Sequence, residues 1–535
     1  MATYAIEARR KIREAFDSLP IFTRARGQAL YHYCAVLEVE GFKAEADLAK
    51  HFSAHRAAAE SSIRAIPALF ERCSPNQTEL QIDQAIFAEA YELFEFSRNY
   101  EQVEFSFELA DKGQWEIHVA KRDPRITFAY TAADSDLTDT LRRSGELTEH
   151  MGLSTKSKGD EAAIQLAVSG VQAVLKKAVC RASADRIEYA FSADLIACVA
   201  QWARLLEAVL IWHMEPDLRL GLPSFADVRR FWGAALAIAN THDLAHLVAG
   251  GGDCHKWPIG SRVQVLGNDE WVRVLSAVSG VNAEITSTIL GWLIFDPMIS
   301  SKTPLIQPFL DLGSRMLCAP SPLLIGNDLE RNFLKLLNRH PALRQHVDKV
   351  KASKEPRALA DIAAQFPEPC YRTKAQVLLP KTDADLVVYE RSTGFAMVLQ
   401  HKWLIAPDTL NESTSNDEEL SKGVRQAVLA RDYWRADVDH LRKTLALSAD
   451  EPLTIVEACV ISRGSDPTGF LARPEVPVLT ENAFLSLLAH EPSLPGLWKL
   501  LNARPDLAEA SRRFRDVKYS VSLAGIEFVM PGLAQ

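Results

Sequence analysis

The chain is poor in the features that settle a function at sight. Eight cysteines in 535 residues are too sparse for a disulfide scaffold, and no CxxC pair occurs, which argues against a zinc finger or ribbon. No apolar run approaches the roughly 18 residues of a membrane span; Ile289–Phe295 is among the longest. The opening MATYAIEARRKIREAF is charged and periodic, without the apolar centre of a secretion signal. Positive charge is not in excess: 60 Lys+Arg stand against 69 Asp+Glu, a net of −9, so no global field advertises a nucleic-acid partner. Internal repeats and low-complexity tracts are absent. The expectation is a soluble cytoplasmic protein with no membrane association.

What is present is an ordinary globular mixture, 47 % hydrophobic and 24 % charged, long enough for two to four domains. The acidity lies toward the front. Residues 321–535 hold 27 basic and 28 acidic residues, nearly balanced, so a local basic face is available there.

Residues 1–100 have helical apolar spacing at Ala5–Phe16, Ala29–Leu37 and Ala58–Phe70. Within them Ala44–Phe52, a turn at Ser53 and Ala57–Leu69 fit a helix-turn-helix with Arg56 and Arg64 available to phosphates, although any compact helical bundle gives the same pattern. Residues 101–320 open with three alternating segments, Val103–Leu109, Trp115–Val119 and Ile126–Tyr130, which predict a small antiparallel meander. Asp134–Gly159 is polar and reads as a connection. Helices follow at about 160–180, 185–214 and 224–249, with Trp202, Leu205, Leu206, Val209 and Trp212 as a core stripe. Residues 321–535 predict helix, three strands, helix and strand, so the fold class is α+β and multidomain: a mainly helical N-terminal region with a small antiparallel sheet, then an α/β domain with a mixed sheet.

The third of those strands, Phe395–Trp403, is informative. Ala396–Leu399 and Trp403–Ile405 are apolar, as in a strand buried on both faces, yet Gln400, His401 and Lys402 interrupt them. Alternation puts Gln400 and Lys402 on one side and His401 on the other. A hairpin through Ser392–Gly394 brings Asp385 alongside Gln400. A carboxylate, an amide oxygen and an ammonium then converge, and hard oxygen ligands beside a lysine suit a magnesium or manganese ion. Such an ion would hold a phosphate oxygen and an attacking water, with the lysine orienting that water and offsetting developing charge.

Thr382–Glu390 and Val398–Trp403 resemble the PD-(D/E)xK, or restriction-endonuclease-like, nucleases. The family carries an aspartate on the second core strand, here Asp385 followed by the apolar Leu386–Tyr389, and (D/E)xK on the third, here Gln400-x-Lys402. Glutamine in the acidic position is similar to Mrr-type restriction enzymes, which have QxK. Glutamine lacks the charge that draws in magnesium; Asp383, on the same strand face as Asp385, or Glu390 could compensate. Glu330 is the best match to the upstream-helix glutamate that supports the metal in many members. The resemblance covers about the last 200 residues and implies a magnesium- or manganese-dependent DNA endonuclease, with RNA also open as substrate, in a restriction or phage-defence setting. A helical N-terminal region would then sense, restrain or bind a protein partner.

Around this motif, Lys422, Arg425 and Arg431 lie off the apolar stripe of the next helix and are candidates for nucleic-acid contact, as are the basic residues of 339–357 and the cluster Arg512, Arg513, Arg515 and Lys518. A nuclease-like module without activity, kept for binding nucleic acid or protein, is the alternative. A further one is a metallohydrolase on His242 and His246, one helical turn apart, with Cys254 and His255 nearby; Asp243 stands where zincin chemistry needs a glutamate.

Overall fold

The structure is a computed structural model that describes residues 2–42, 48–75, 80–111, 113, 115–119, 125–130, 158–182, 187–209, 216–250, 262–299, 303–327, 329–405, 410–464, 475–503 and 515–534. Four helices open it: α1 (Ala2–Asp17), α2 (Arg26–Gly41), α3 (Leu48–Arg72) and α4 (Gln84–Asp111). The turn expected at Ser53 does not exist. Helix α3 runs straight through it, and beyond it Ala58, Ser62, Ala65, Ile66 and Leu69 form one buried stripe. Arg56 pairs with Glu60, and Arg64 pairs with Glu101 and lies over the ring of Tyr100.

Val103–Leu109 is likewise no strand but the end of α4. Alternation and helical spacing share Val103 and Phe107, and extending a helix already formed from Gln84 needs no new nucleus. Val103, Ser106 and Phe107 are buried while Phe105 is left 40 % exposed. The other two segments pair as expected: β1 (Trp115–Val119) and β2 (Arg125–Tyr130) are antiparallel.

A second helical core follows, formed by α5 (Lys158–Ala178), α6 (Ala193–Val209), α7 (Phe225–Ala249), α8 (Asn268–Ser279), α9 (Ala283–Leu293) and α10 (Leu329–Arg339) around Phe231, Trp232, Trp271, Phe309 and Phe333. Trp202, Leu205 and Leu206 of the expected stripe pack there; Trp212 and the 134–157 connection lie outside the described residues. Helix α7 is started by a reciprocal cap between Ser224 and Asp227. No described helix is long and apolar enough to cross a membrane.

The mixed sheet comes next: α11 (Val347–Ala363), β3 (Tyr371–Leu378), β4 (Asp383–Glu390), β5 (Phe395–Trp403), α12 (Leu410–Ala436), β6 (Ile455–Arg463), β7 (Val478–Thr480), α13 (Glu481–His490) and α14 (Leu494–Ala503). The strand order is β7-β6-β5-β4-β3. Tight turns make β3, β4 and β5 antiparallel; Gly394, at φ 69°, closes the second of them. Crossing over through α12 makes β5 and β6 parallel. Alternation then builds two layers. Leu386, Val388, Met397, Leu399 and Ile461 face α11, α13 and α14, while Val387, Tyr389, Ala396, Val398 and Val460 face α12.

The chain then returns to its first core. Strands β8 (Arg515–Leu523) and β9 (Ile526–Ala534) form a hairpin, and β9 pairs in parallel with β2, giving the order β1-β2-β9-β8. Packing crosses residue 321 in both directions: α10 joins the second helical core, and Val521, Leu523, Ile526, Phe528 and Met530 join the first. Local reading had no signal for this, since the paired residues of β2 and β9 lie 402 positions apart. Phe107 meets Phe128 and Phe528 edge-on at 5.2 and 6.1 Å, and Phe528 is fully buried. Phe528→Ala should therefore destabilise the first core by about 3–5 kcal/mol. A urea titration followed by tryptophan fluorescence should show that transition moving while the mixed-sheet transition stays in place.

Candidate active site

The β4–β5 ladder ends at the pair Leu386–Leu399. One step further the strands part, with Asp385 and Gln400 facing across the gap. The backbone N–H of His401 has no strand partner there, and Asp385 Oδ2 accepts it at 2.7 Å. Gln400 lies opposite Val460 of β6 and shares its side of the sheet, toward α12. Lys402, two residues on, points the same way. Its Nζ donates to Gln426 Oε1 at 2.7 Å, and Gln426 Nε2 donates to Asp383 Oδ1 at 2.8 Å. The amide orientation follows from its partners, because an ammonium only donates and a carboxylate only accepts. The lysine stem runs against Gly423, where an added Cβ would lie 3.0 Å from Lys402 Cε and 3.1 Å from Cγ.

Asp385 is 7 % exposed and Gln400 1 %. Gln400 Oε1 has no hydrogen-bond partner among the described residues, a state that costs about 1–3 kcal/mol when nothing offsets it. A carboxylate and an orphaned amide oxygen side by side form a donor set that suits a hard divalent cation. Among the described residues no group of three His, Cys, Asp or Glu side chains is placed to hold a metal, so a cation here would rest on Asp385, Gln400 and water.

Asp383 is at the site but is engaged by Gln426. Glu390 is not at the site. It stands at the other end of β4, accepting from Ser392, Thr393 and the N–H of Leu494. Glu330 is not at the site either. It pairs with Lys354 of α11 at 3.1 Å, and that ammonium lies 3.6 Å over the ring of Trp403, which alternation turns away from Lys402. The helix upstream of β3 that lies on the sheet is α11; α10, which carries Glu330, packs in the second core instead. His401 occupies the opposite face with Glu481, 3.5 Å away.

The basic residues separate in the same way. Lys422 is exposed and bonded to Glu419 at 2.5 Å, Arg425 is exposed, and Arg431 is largely covered and paired with Asp432. Lys354 is buried and Arg339 stands near Glu412; Arg344 and Lys349 of that segment are exposed, and Arg357 is half-buried. Arg512 and Arg513 lie outside the described residues, while Arg515 and Lys518 are on β8, in the first core's sheet. Sequence reading missed Gln426 and Gly423. An isolated glycine inside a helix is the available signal, since it marks close approach of a neighbour.

No family model, curated protein or solved structure matches the chain.

The pair His242 and His246 is built differently from a metal site. His242 Nε2 meets the Arg262 carbonyl at 3.0 Å and Nδ1 meets the Tyr189 hydroxyl at 3.1 Å, so both nitrogens are committed; His246 Nδ1 bonds the His242 carbonyl at 2.8 Å. Cys254 and His255 lie outside the described residues. Beside the pair, Asp243 and Glu38 are buried with Arg262 in one small cavity. Burial pushes the Asp243 carboxyl up to about 7, opposed by Ser321 and Arg262. A raised carboxyl pKa means that the folded state binds the proton more tightly than the unfolded chain. The associated stability is complete below the ordinary value near 3.8 and is lost as pH rises to about 7. Asp243→Asn should therefore melt above the wild type at pH 8, and the gap should close as pH falls toward 4; a gap that widens on acidification would contradict this sign.

Proposed function

We propose that the mixed-sheet unit is a metal-dependent nuclease of the PD-(D/E)xK type, QxK variant, hydrolysing DNA phosphodiester bonds, and that the two helical cores serve to sense or restrain. The observation that carries this reading is that Asp385 and Gln400, whose amide oxygen has no hydrogen bond among the described residues, face each other where β4 and β5 part, with Lys402 on the same side of the sheet. The element order, helix, three antiparallel strands, helix and parallel strand, supports the family resemblance.

In this reading Asp385 and Gln400 hold magnesium or manganese, which when bound polarises the scissile phosphate and acidifies a water. Asp385 also fixes the start of the QxK segment through the His401 N–H. Lys402 orients the attacking water and offsets charge that develops on the phosphate. Asp383 acts through Gln426, which aims the ammonium, and Gly423 leaves room for its stem. Lys422 and Arg425 are exposed on α12 to contact phosphates. A restriction or phage-defence role fits a nuclease attached to large helical units, by analogy of architecture alone. The second reading, an inactive binding module, is favoured by one observation: Asp383 is engaged by Gln426, so a cation finds one carboxylate rather than two.

The two readings differ in whether Lys402 matters in the ground state or only during reaction. Lys402→Ala should lower metal-dependent nicking of plasmid DNA by about 100-fold or more and change DNA affinity only a few-fold. Gln400→Glu should preserve or raise nicking and tighten magnesium binding. Identical behaviour of wild type and Lys402→Ala in nicking and in a phage-challenge assay would sink the enzyme reading in favour of the binding module.

A further inference from the structure

We infer that the β3–β4 turn, Leu378–Thr382, is a wedge that opens a base step of a nucleic-acid duplex beside the scissile phosphate, an inference that rests on the nuclease reading for its setting. Leu378 is 84 % exposed and is paired across the strands with Asp383, so an apolar side chain stands in water next to the site. The turn holds it there. Leu379 N–H bonds the Thr382 carbonyl at 2.9 Å, and Thr382 Oγ1 reaches the Gln426 carbonyl at 3.4 Å. The base of the turn is thus fastened to the residue that aims Lys402. Pro380 and Lys381 at the tip are exposed. Leu429, one turn beyond Gln426 on α12, is 46 % exposed.

An apolar tip accompanied by exposed cations, Lys381 on the turn, Lys374 on β3 and Arg425 on α12, matches a duplex better than a protein surface. Leucine and proline suit the faces of unstacked bases, and lysine and arginine suit the phosphates on either side. Prising a step apart would separate the strands locally and bring the phosphate between them toward Asp385 and Lys402. Since unstacking a matched step opposes binding, a duplex already weakened at one step is the better ligand.

The test is a titration by fluorescence anisotropy of the full chain against a matched 30-base-pair duplex and the same duplex with one central mismatch, in EDTA so that cleavage does not intervene. The wild type should prefer the mismatched duplex by about 10-fold or more. Leu378→Ala should reduce that preference below about two-fold while matched-duplex affinity barely changes, and Leu378→Met, still apolar and long, should retain it. Lys381→Ala should weaken both duplexes alike, as loss of a phosphate contact does. Leu378 is so exposed that its substitution leaves the fold intact. A preference that survives Leu378→Ala, or a wild type that binds both duplexes equally, overturns the wedge. Binding to neither duplex overturns it too and directs the exposed leucine to a protein partner. A mismatch preference that depends on Leu378 in a chain without metal-dependent nicking would leave the wedge standing and remove the nuclease reading alone.

Discussion

Strand β5 is buried on both faces, and that constraint organises everything around it. Along Phe395–Leu399 the apolar side chains and two flanking strands satisfy the backbone and the core together. Beyond Leu399 the sequence turns polar while the strand stays covered, so each polar group must find a partner or remain costly. Asp385 serves the His401 N–H, Gln426 serves Lys402, and Asp383 serves Gln426. Two groups are left over: Gln400 Oε1 on the α12 side, and on the other face the His401 ring, whose nitrogens have no hydrogen bond among the described residues and approach only Glu481, at 3.5 Å. The chemistry suggested for the α12 side of this end of the sheet is a consequence of how its polar groups are satisfied and of the amide oxygen that is not.

The mixed sheet was the most legible part of the molecule. Its strands carry their own signals, a turn with Gly394 and an apolar run broken by three polar residues, and alternation alone brings Asp385, Gln400 and Lys402 together. Partners that depend on where a helix lands were not legible. Gln426 reads as one more polar residue on α12 until the crossover sets that helix against the sheet. Glu330 was misjudged for the same reason, because its helix packs on the second core while α11 lies on the sheet. In the first core, Val103–Leu109 alternates like a strand but extends a helix, and the true partner of β2 comes from beyond residue 525.

The sheet is not isolated from the helices. Trp403 and Ile405, directly after Lys402, pack against the second core. Buried Lys354 sits between Trp403 and Glu330 of α10. Lys335, also on α10, reaches Glu412 near the start of α12 at 3.0 Å; burial, aided by Arg331, lowers its pKa to about 8. Helix α10 thus reaches the end of β5 through Lys354 of α11, and meets directly the start of α12, the helix whose Gly423 and Gln426 hold Lys402. A shift of the second core has a short mechanical route to the ammonium, which is the connection a sensing domain needs if it is to govern a distant site.

The β8–β9 hairpin makes the mixed-sheet unit an insertion within the domain that contains β1 and β2. During synthesis, β1 and β2 leave the ribosome long before β9 exists to pair with them. At roughly 5–20 residues per second, the interval is on the order of tens of seconds. Throughout it the parallel edge of β2 and the rings of Phe107 and Phe128 lack the covering they have in the finished fold, an invitation to chaperones and to mispairing. The domain that contains β1 and β2 is therefore completed after the unit inserted within it has been made, and a nascent chain acquires its candidate active site before β9 closes that earlier sheet.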